Sequence, residues 1–387
     1  RPMQRIGEDV SEKLDIIPAK FFVHRHIYGK WACKCCQQLR QEPAEPEVVG
    51  GGIPAAGLVA HTLISRFVDH LPYYRQTPIN ARSGVHTPRS TLASWGGAGG
   101  ESLEPLFERQ RCFILSGRVL HADETPLPLL DPGAGKTKKV YVWAWARSHH
   151  DPHPGVVYEF CLGRGAQYPL AFLGGKGPPS AEPAWNGTLI TDQYAGYRFI
   201  DADQRQLCWA HVARNLAAIA ESSEQCNQPI GARLVLLADA VFRTRHRWES
   251  GALSKQKYLR RLARYRQSWR SQLERGALLC SKRYRGRCQL LLRDDEMLWR
   301  FMTDDEIALT NNEAERALRG YVLWRKGSYG VWSHRGELFR QRILSLVETG
   351  KRLGRCPQEW LRAVVRACIE KTDYPIPAEL MPSTPSW

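Results

Sequence analysis

Three carboxylates sit where they could hold divalent cations. Asp123 closes the apolar run Val119-Leu-His-Ala-Asp123, and Asp192 closes the β-rich run Thr188-Leu-Ile-Thr-Asp192. Glu315 follows Thr310-Asn-Asn-Glu313, which matches a capping box and so opens a helix. Two aspartates at strand exits and a glutamate on the flank of a later helix can face one sheet edge. Oxygen ligands of this kind suit hard divalent cations, and a pair of such cations stabilises both the attacking and the leaving oxygen of a phosphoryl transfer. Lone aspartates at strand ends more often form turns or caps, so the case rests on the three matched settings together. Glu124, Asp131, Asp304 and Asp305 are rival acids, of which the last two read as solvated residues ahead of a helix.

The chain that holds these acids has 387 residues, enough for two or three domains, and a net charge of +16. An acidic centre in so basic a chain points to a polyanion, and nucleic acid is the commonest one. Hydrophobic residues at 43% and charged residues at 24% are ordinary for a globular chain. No apolar run approaches the ~20 residues of a membrane span. Arg1 does not open a signal-peptide pattern, and a start in mid-pattern without Met predicts an upstream part. Eleven cysteines, an odd number scattered mostly in apolar patterns (Cys112, Cys161, Cys208, Cys368), fit reduced thiols in a cytosol.

The elements that must position the acids are legible from periodicity. Ala19–His26 reads as a short strand, and Gln41–Gly52 as a Pro/Glu/Gly linker. Residues 54–80 have apolar residues at helical spacing. A second short helix starts near Thr87, with Ser90 as N-cap and the cluster Gly96-Gly-Ala-Gly-Gly100 as its end. Strands are expected at 118–123, 140–146, 156–161 and 188–191, and a fifth at 206–208. From Val212 to about Arg300 the pattern is long, Arg-rich, amphipathic helix, and 311–368 stays helical apart from breaks at Gly327–Gly330 and Gly354–Pro357. In the glutamate helix, Ala314, Ala317, Leu318, Tyr321 and Val322 form the buried stripe, with Glu315 on its flank.

Other residues offer chemistry of their own. Cys33, Cys35 and Cys36, with His24 and His26 nearby, are zinc-type ligands, but a regular site pairs two such couples and only one is visible. Cys208-Trp-Ala-His211 offers zinc-type or acid–base groups, but the preferred reading is core at Cys208 and Trp209, with His211 opening a helix beside the acids. Arg316 and Arg319, one turn along from Glu315, either neutralise phosphate or pair with acids. Arg243, Arg245, Arg247, Arg260, Arg261, Arg264 and Arg266 lie on helical faces, a solvated surface that in so basic a chain also suits a DNA backbone.

In combination, the motifs His121-Ala-Asp-Glu-Thr125, Asp131-Pro-Gly-Ala-Gly-Lys136, Thr191-Asp-Gln-Tyr-Ala-Gly-Tyr197, Cys208-Trp-Ala-His-Val212 and Asn311-Asn-Glu-Ala-Glu-Arg-Ala-Leu-Arg319 resemble the transposases of the insertion sequence 66 family. The resemblance runs from Ile6-Gly-Glu-Asp-Val-Ser11 to about Ala367. It implies an acidic-triad transposase with a ribonuclease H-like mixed sheet, flanking helices, an all-helical insertion and a helical N-terminal DNA-binding region. Asp123, Asp192 and Glu315 become the triad, with separations of 192 − 123 = 69 and 315 − 192 = 123 residues. The implied cofactors are two Mg²⁺ (or Mn²⁺) ions. The cysteines become half of a zinc-finger-like region whose other pair lies upstream. Residues 54–95 resemble a helix-turn-helix, with Arg89 at the recognition position.

The expected divisions are 1–50 partial zinc finger and linker, 51–105 helix-turn-helix-like region, 106–212 first part of the core, 213–300 insertion, 301–350 second part of the core, and 351–387 C-terminal helices. The expected partners are element ends and target DNA, further copies of the chain on DNA, and accessory proteins of the element; the expected place is a bacterial cytoplasm, on the nucleoid. Two other readings stay open: a ribonuclease H-like nuclease that cuts without joining, and a catalytically silent DNA-binding protein.

Overall fold

The computed structural model describes residues 3, 9–15, 20–45, 47, 49–131, 133–174, 184–328, 333–370 and 372. The start of the Ile6 motif, part of the Gly327–Gly330 break, the Cys368 side chain and the tail beyond residue 372 lie outside them. At the N-terminus, β1 (Lys30–Ala32) and β2 (Leu39–Gln41) form an antiparallel hairpin closed by a turn over Cys33–Cys36. The strand expected over Ala19–His26 is not formed in its described part. The rings of Phe22, His24, His26 and Tyr28 follow one another there, but no strand among the described residues supplies a ladder.

Four helices follow: α1 (Ala56–Phe67), α2 (Tyr73–Ala81), α3 (Arg89–Ser102) and α4 (Glu104–Leu115). The helical stretch expected over 54–80 is therefore two helices. His70 takes a left-handed φ of 57°, and Pro72 sets the start of α2. Helix α3 begins after Pro88, so Ser90 is inside it rather than its cap. Nor does the glycine cluster end α3. A Cβ on Gly99 would sit 3.0 Å from Leu63, and one on Gly100 would sit 2.6 Å from Phe339. These glycines let α3 lie close against α1 and a C-terminal helix, so packing overrides their poor helix propensity. Helix α4 is not marked by any of the periodic runs.

The central sheet comprises β3 (Val119–Leu130), β4 (Thr137–Arg147), β5 (Val156–Cys161), β6 (Thr188–Thr191) and β7 (Arg205–Leu207), with α5 (Gln167–Phe172) between β5 and β6. Its order is β5-β4-β3-β6-β7. Strand β4 runs antiparallel to both β3 and β5, while β6 runs parallel to β3 and β7 parallel to β6. This is a ribonuclease H-like mixed sheet. Strand β3 pairs with β4 over Leu120–Leu130 but with β6 only over Val119–His121. Beyond that point one side of β3 is an open edge, which is why Pro126 and Pro128 are tolerated in it.

Seven helices follow the sheet: α6 (Trp209–Ala220), α7 (Gln228–Glu249), α8 (Lys255–Leu279), α9 (Lys282–Arg293), α10 (Asp295–Trp299), α11 (Asn312–Ser328) and α12 (His334–Arg352). An eighth, α13 (Pro357–Glu370), is the last described element. Residues 213–300 contain helix and no strand. They share a core around Trp209, Trp269, Trp299 and Phe301, which reaches the sheet at Val119, Ile190 and Leu207. A separate core joins β3, β4, β5 and the other face of β6 to α1, α4 and α11–α13, with Trp143 and Trp145 stacked at 6.2 Å and Phe172 on Trp145 at 4.1 Å. Arg245 is not a surface charge: it is 3% exposed and paired with Glu249. Cys112 is exposed rather than packed, and the cysteines described are all free thiols.

Candidate metal centre

The β3–β6 register brings the two aspartates together. Val119 pairs with Thr188 and His121 with Ile190, so two residues further along the same offset places Asp192 level with Asp123. Neighbouring strands are about 4.8 Å apart. Because β6 ends at Thr191, both acids stand where the two strands part, a position at which sheets of this kind leave a crevice for ligands. Asp123 Oδ1 accepts the Glu124 N–H at 2.9 Å, and Asp192 Oδ1 accepts the Tyr194 N–H at 2.8 Å.

Glu315 reaches the same place because α11 is clamped at its start. Asn311 is fully buried, donates through Nδ2 to Ala122 O at 2.8 Å, and lies 3.3 Å from His121 Nδ1 through Oδ1. Burial pulls the His121 ring down to about 3, so it is neutral and donates its Nδ1–H. From the other side, the Asn311 N–H reaches Cys208 Sγ at 3.2 Å, and Trp209 N–H donates to Leu309 O at 2.9 Å. The segment before the glutamate is thus held between β3 and the first turn of α6. The capping box expected at Thr310–Glu313 is replaced by this clamp, since Asn311 turns to β3 and Glu313 pairs with Arg316 and Arg352. Ala314, Ala317, Leu318 and Tyr321 are buried as the helical stripe requires, Val322 is half-buried, and Glu315 sits on the flank.

The electrostatics mark Asp123. Burial first, then the charges of Glu124, Asp192 and Glu315, push its carboxyl up to about 7. A pocket of about 280 Å³ opens on it, lined by Asp123, Glu124, Thr125, Glu315, Leu318, Arg319 and Val322. A wider hollow of about 720 Å³ beside His149 and Trp248 offers no such demand for cations. Its acids are already paired: Glu249 with Arg245, Asp305 with Lys255 and Glu306 with Arg118. Asp304 likewise binds Arg118 and is half-buried, whereas Asp305 is exposed, as expected of a solvated residue.

The acid-rich donor set fits hard cations, and its proton affinity gives a test. Unfolded, Asp123 releases its proton near 3.8, whereas the metal-free fold holds it to about 7. Folded-state stability from this group therefore falls as pH rises between those values and is level above. A fully dry site would make the change about 4 kcal/mol, and solvent at this half-buried position reduces it to on the order of 2 kcal/mol. A divalent cation competes with that proton. The Tm gained on adding Mg²⁺ or Mn²⁺ is expected to be larger at pH 8 than at pH 6, and Asp123→Asn to raise the metal-free Tm and remove the gain. An equal gain at both pH values would place the cations elsewhere.

Two neighbours were undervalued from sequence. Glu124, weighed as a rival acid, is buried and ion-paired with Arg164, and it accepts the Tyr197 O–H at 3.2 Å. Arg164 stacks on Tyr194 with its guanidinium carbon 3.7 Å from the ring centre, next to the acids. The surroundings of Gly163-Arg-Gly165 carry no signal that would have found it. Arg319 is exposed on the pocket rim, whereas Arg316 is tied to Glu313. Arg260 and Arg264 are exposed on α8 and Arg261 is half-buried, while Arg266 pairs with Asp295. Arg89 is exposed at the first residue of α3.

In the N-terminal hairpin, the sulfurs of Cys33, Cys35 and Cys36 lie within 4.8 Å of one another. A hydrogen bond with Cys35, helped by backbone N–H groups, lowers the Cys33 thiol to about 6, as suits a thiolate ligand. His26 pairs with Glu45 instead of joining this group.

Residues 51–337 match the family model described as the IS66 family transposase. The chain belongs to the IS66 transposase family. Residues 1–37 match the zinc-finger binding domain of transposase IS66. The chain is also similar to uncharacterized proteins of Sinorhizobium fredii (strain NBRC 101917 / NGR234). Protein y4qI is 32% identical over 92% of this chain and 67% of its own length. Protein y4jD is 29% identical over 95% of this chain and 73% of its own length. Membership of this IS66 family implies a protein of DNA transposition. No described helix is long and apolar enough to cross a membrane.

Proposed function

We propose that this chain cleaves and joins DNA strands at a centre of two divalent cations held by Asp123, Asp192 and Glu315. The observation that supports it most is the Asp123 carboxyl, raised to about 7 by burial and by three neighbouring acids. Such a group is poised to exchange its proton for a cation. When bound, two Mg²⁺ or Mn²⁺ ions supply Lewis acidity at the scissile phosphate. Asp123 feels the charge of both other acids, so the three would hold the cations together. Asn311 and Cys208 keep Glu315 beside it. Arg319 on the pocket rim meets phosphate charge next to the centre, and Glu124 holds Arg164 in position at its far side. Incubation of pre-cut element ends with target DNA separates this reading from a nuclease: joined products are expected, whereas nicking without joining would leave hydrolysis alone.

The DNA path runs from this centre over α8 and includes the exposed start of α3 at Arg89. Further copies of the chain and accessory proteins of the element assemble on the DNA, within a bacterial cytoplasm. The hairpin thiols Cys33, Cys35 and Cys36 supply one half of a zinc site. Neutralising Arg260, Arg261 and Arg264 together is expected to weaken binding to unrelated DNA sequences equally. It should also lower the slope of log K against log salt by roughly 3, about 0.9 for each phosphate that the chain no longer neutralises. An unchanged slope in a salt titration would make α8 a packing element.

A further inference from the structure

We propose that Cys208, His211 and Glu315 form a second kind of cation site, for a thiophilic ion of the Zn²⁺ class, at one corner of the oxygen-lined centre. The Cys208 sulfur, a ring nitrogen of His211 and a carboxylate oxygen of Glu315 all lie within 4.8 Å of one another. Tetrahedral zinc holds sulfur at ~2.3 Å and nitrogen or oxygen at ~2.0–2.1 Å, so its ligand atoms stand roughly 3.3–3.7 Å apart. The three groups need only a small inward movement to meet that spacing. Cys208 immediately precedes α6 and His211 is in its first turn, so both side chains emerge on one side of the helix start.

Three independent details favour a cation here. Cys208 Sγ already accepts the Asn311 N–H at 3.2 Å, the kind of bond that supports metal-bound thiolates. His211 Nδ1 lies 3.5 Å from Glu315 Oε1, yet it is buried and makes no hydrogen bond. The histidine and glutamate side chains are 29% and 38% exposed, which leaves an approach from solvent and room for water as fourth ligand. On binding, the thiol proton passes to solvent, and a thiolate and a carboxylate together neutralise a 2+ ion. Sulfur and imidazole select against Mg²⁺ and for Zn²⁺. Glu315 belongs to both sites, so zinc bound at this corner withdraws it from the triad and lowers Mg²⁺-dependent cutting. That consequence rests on the proposed two-cation reaction; the binding itself does not.

The test uses the full chain with Cys33, Cys35 and Cys36 changed to serine, and Co²⁺ as the probe. One equivalent of Co²⁺ is expected to bind with a thiolate-to-cobalt charge-transfer band that Zn²⁺ displaces. Cys208→Ser should remove the band. His211→Ala, at a partly exposed position and with its fold checked by circular dichroism, should weaken Co²⁺ binding tenfold or more. Absence of the band in the Cys208 chain, or a band that survives both substitutions, overturns the site. No DNA enters this measurement, so a chain that binds Co²⁺ at this corner but never cuts DNA would uphold the site and refute the proposed reaction.

Discussion

Asp123→Asn and Glu315→Gln are each expected to lower strand cleavage about a thousandfold or more while changing the Kd for DNA by less than about threefold. Each substitution keeps the size of the side chain and removes its charge, so the cations lose a ligand at the point where charge develops in the reaction. DNA binding rests on many Lys and Arg side chains that meet phosphate, in a chain of net charge +16, and loses almost nothing. Asp304→Asn is the control, because that acid is committed to Arg118. Cleavage of end-labelled DNA and a binding titration at one salt concentration decide the matter. Parallel loss of binding and cutting would mean that the two acids are structural.

Arg340→Met is expected to cost about 3–5 kcal/mol of folding stability. Glu337 and Arg340 are an ion pair on α12, with side chains 0% and 6% exposed. The Arg340 guanidinium carbon also lies 3.0 Å from the ring centre of Trp324 on α11 and 5.8 Å from that of Phe67 on α1. The pair therefore joins the N-terminal helices to the helix that bears Glu315. Burial raises the Glu337 carboxyl above its ordinary range, and Arg340 opposes that rise. Without Arg340, folding must leave Glu337 buried and protonated, which costs more at pH 8 than at pH 5 because the unfolded chain is ionised at the higher pH. The double variant Glu337→Gln, Arg340→Met should recover most of the loss. Chemical denaturation of the three variants measures this, and a single-variant cost below about 1 kcal/mol would show that the pair is not a joint of the fold.

What could be read from the residues alone was local. Alternating and β-branched runs marked all five sheet strands, because a strand's pattern is set by its own two faces. The apolar period identified the helices of 213–300, and the acids were noticed because each ends or flanks such a run. The motif set around Asp123, Asp192 and Glu315 was sufficient to place the chain in its family, now matched over residues 51–337.

Tertiary structure decided everything that depends on a neighbour distant in sequence. The described part of the Ala19–His26 stretch has strand composition but pairs with no strand among the described residues. The glycines of α3 looked like a helix end, yet they mark close approach to Leu63 and Phe339, which lie in other helices. Thr310–Glu313 looked like a capping box, but an available carbonyl on β3 at Ala122 claimed the Asn311 amide. Arg245 looked like surface charge and is enclosed by the insertion's own core. Local pattern reports the chain's preference for an element and a face. Which atoms that face meets, and so whether carboxylates separated by 69 and 123 residues come near one another, follows only from sheet register and helix docking.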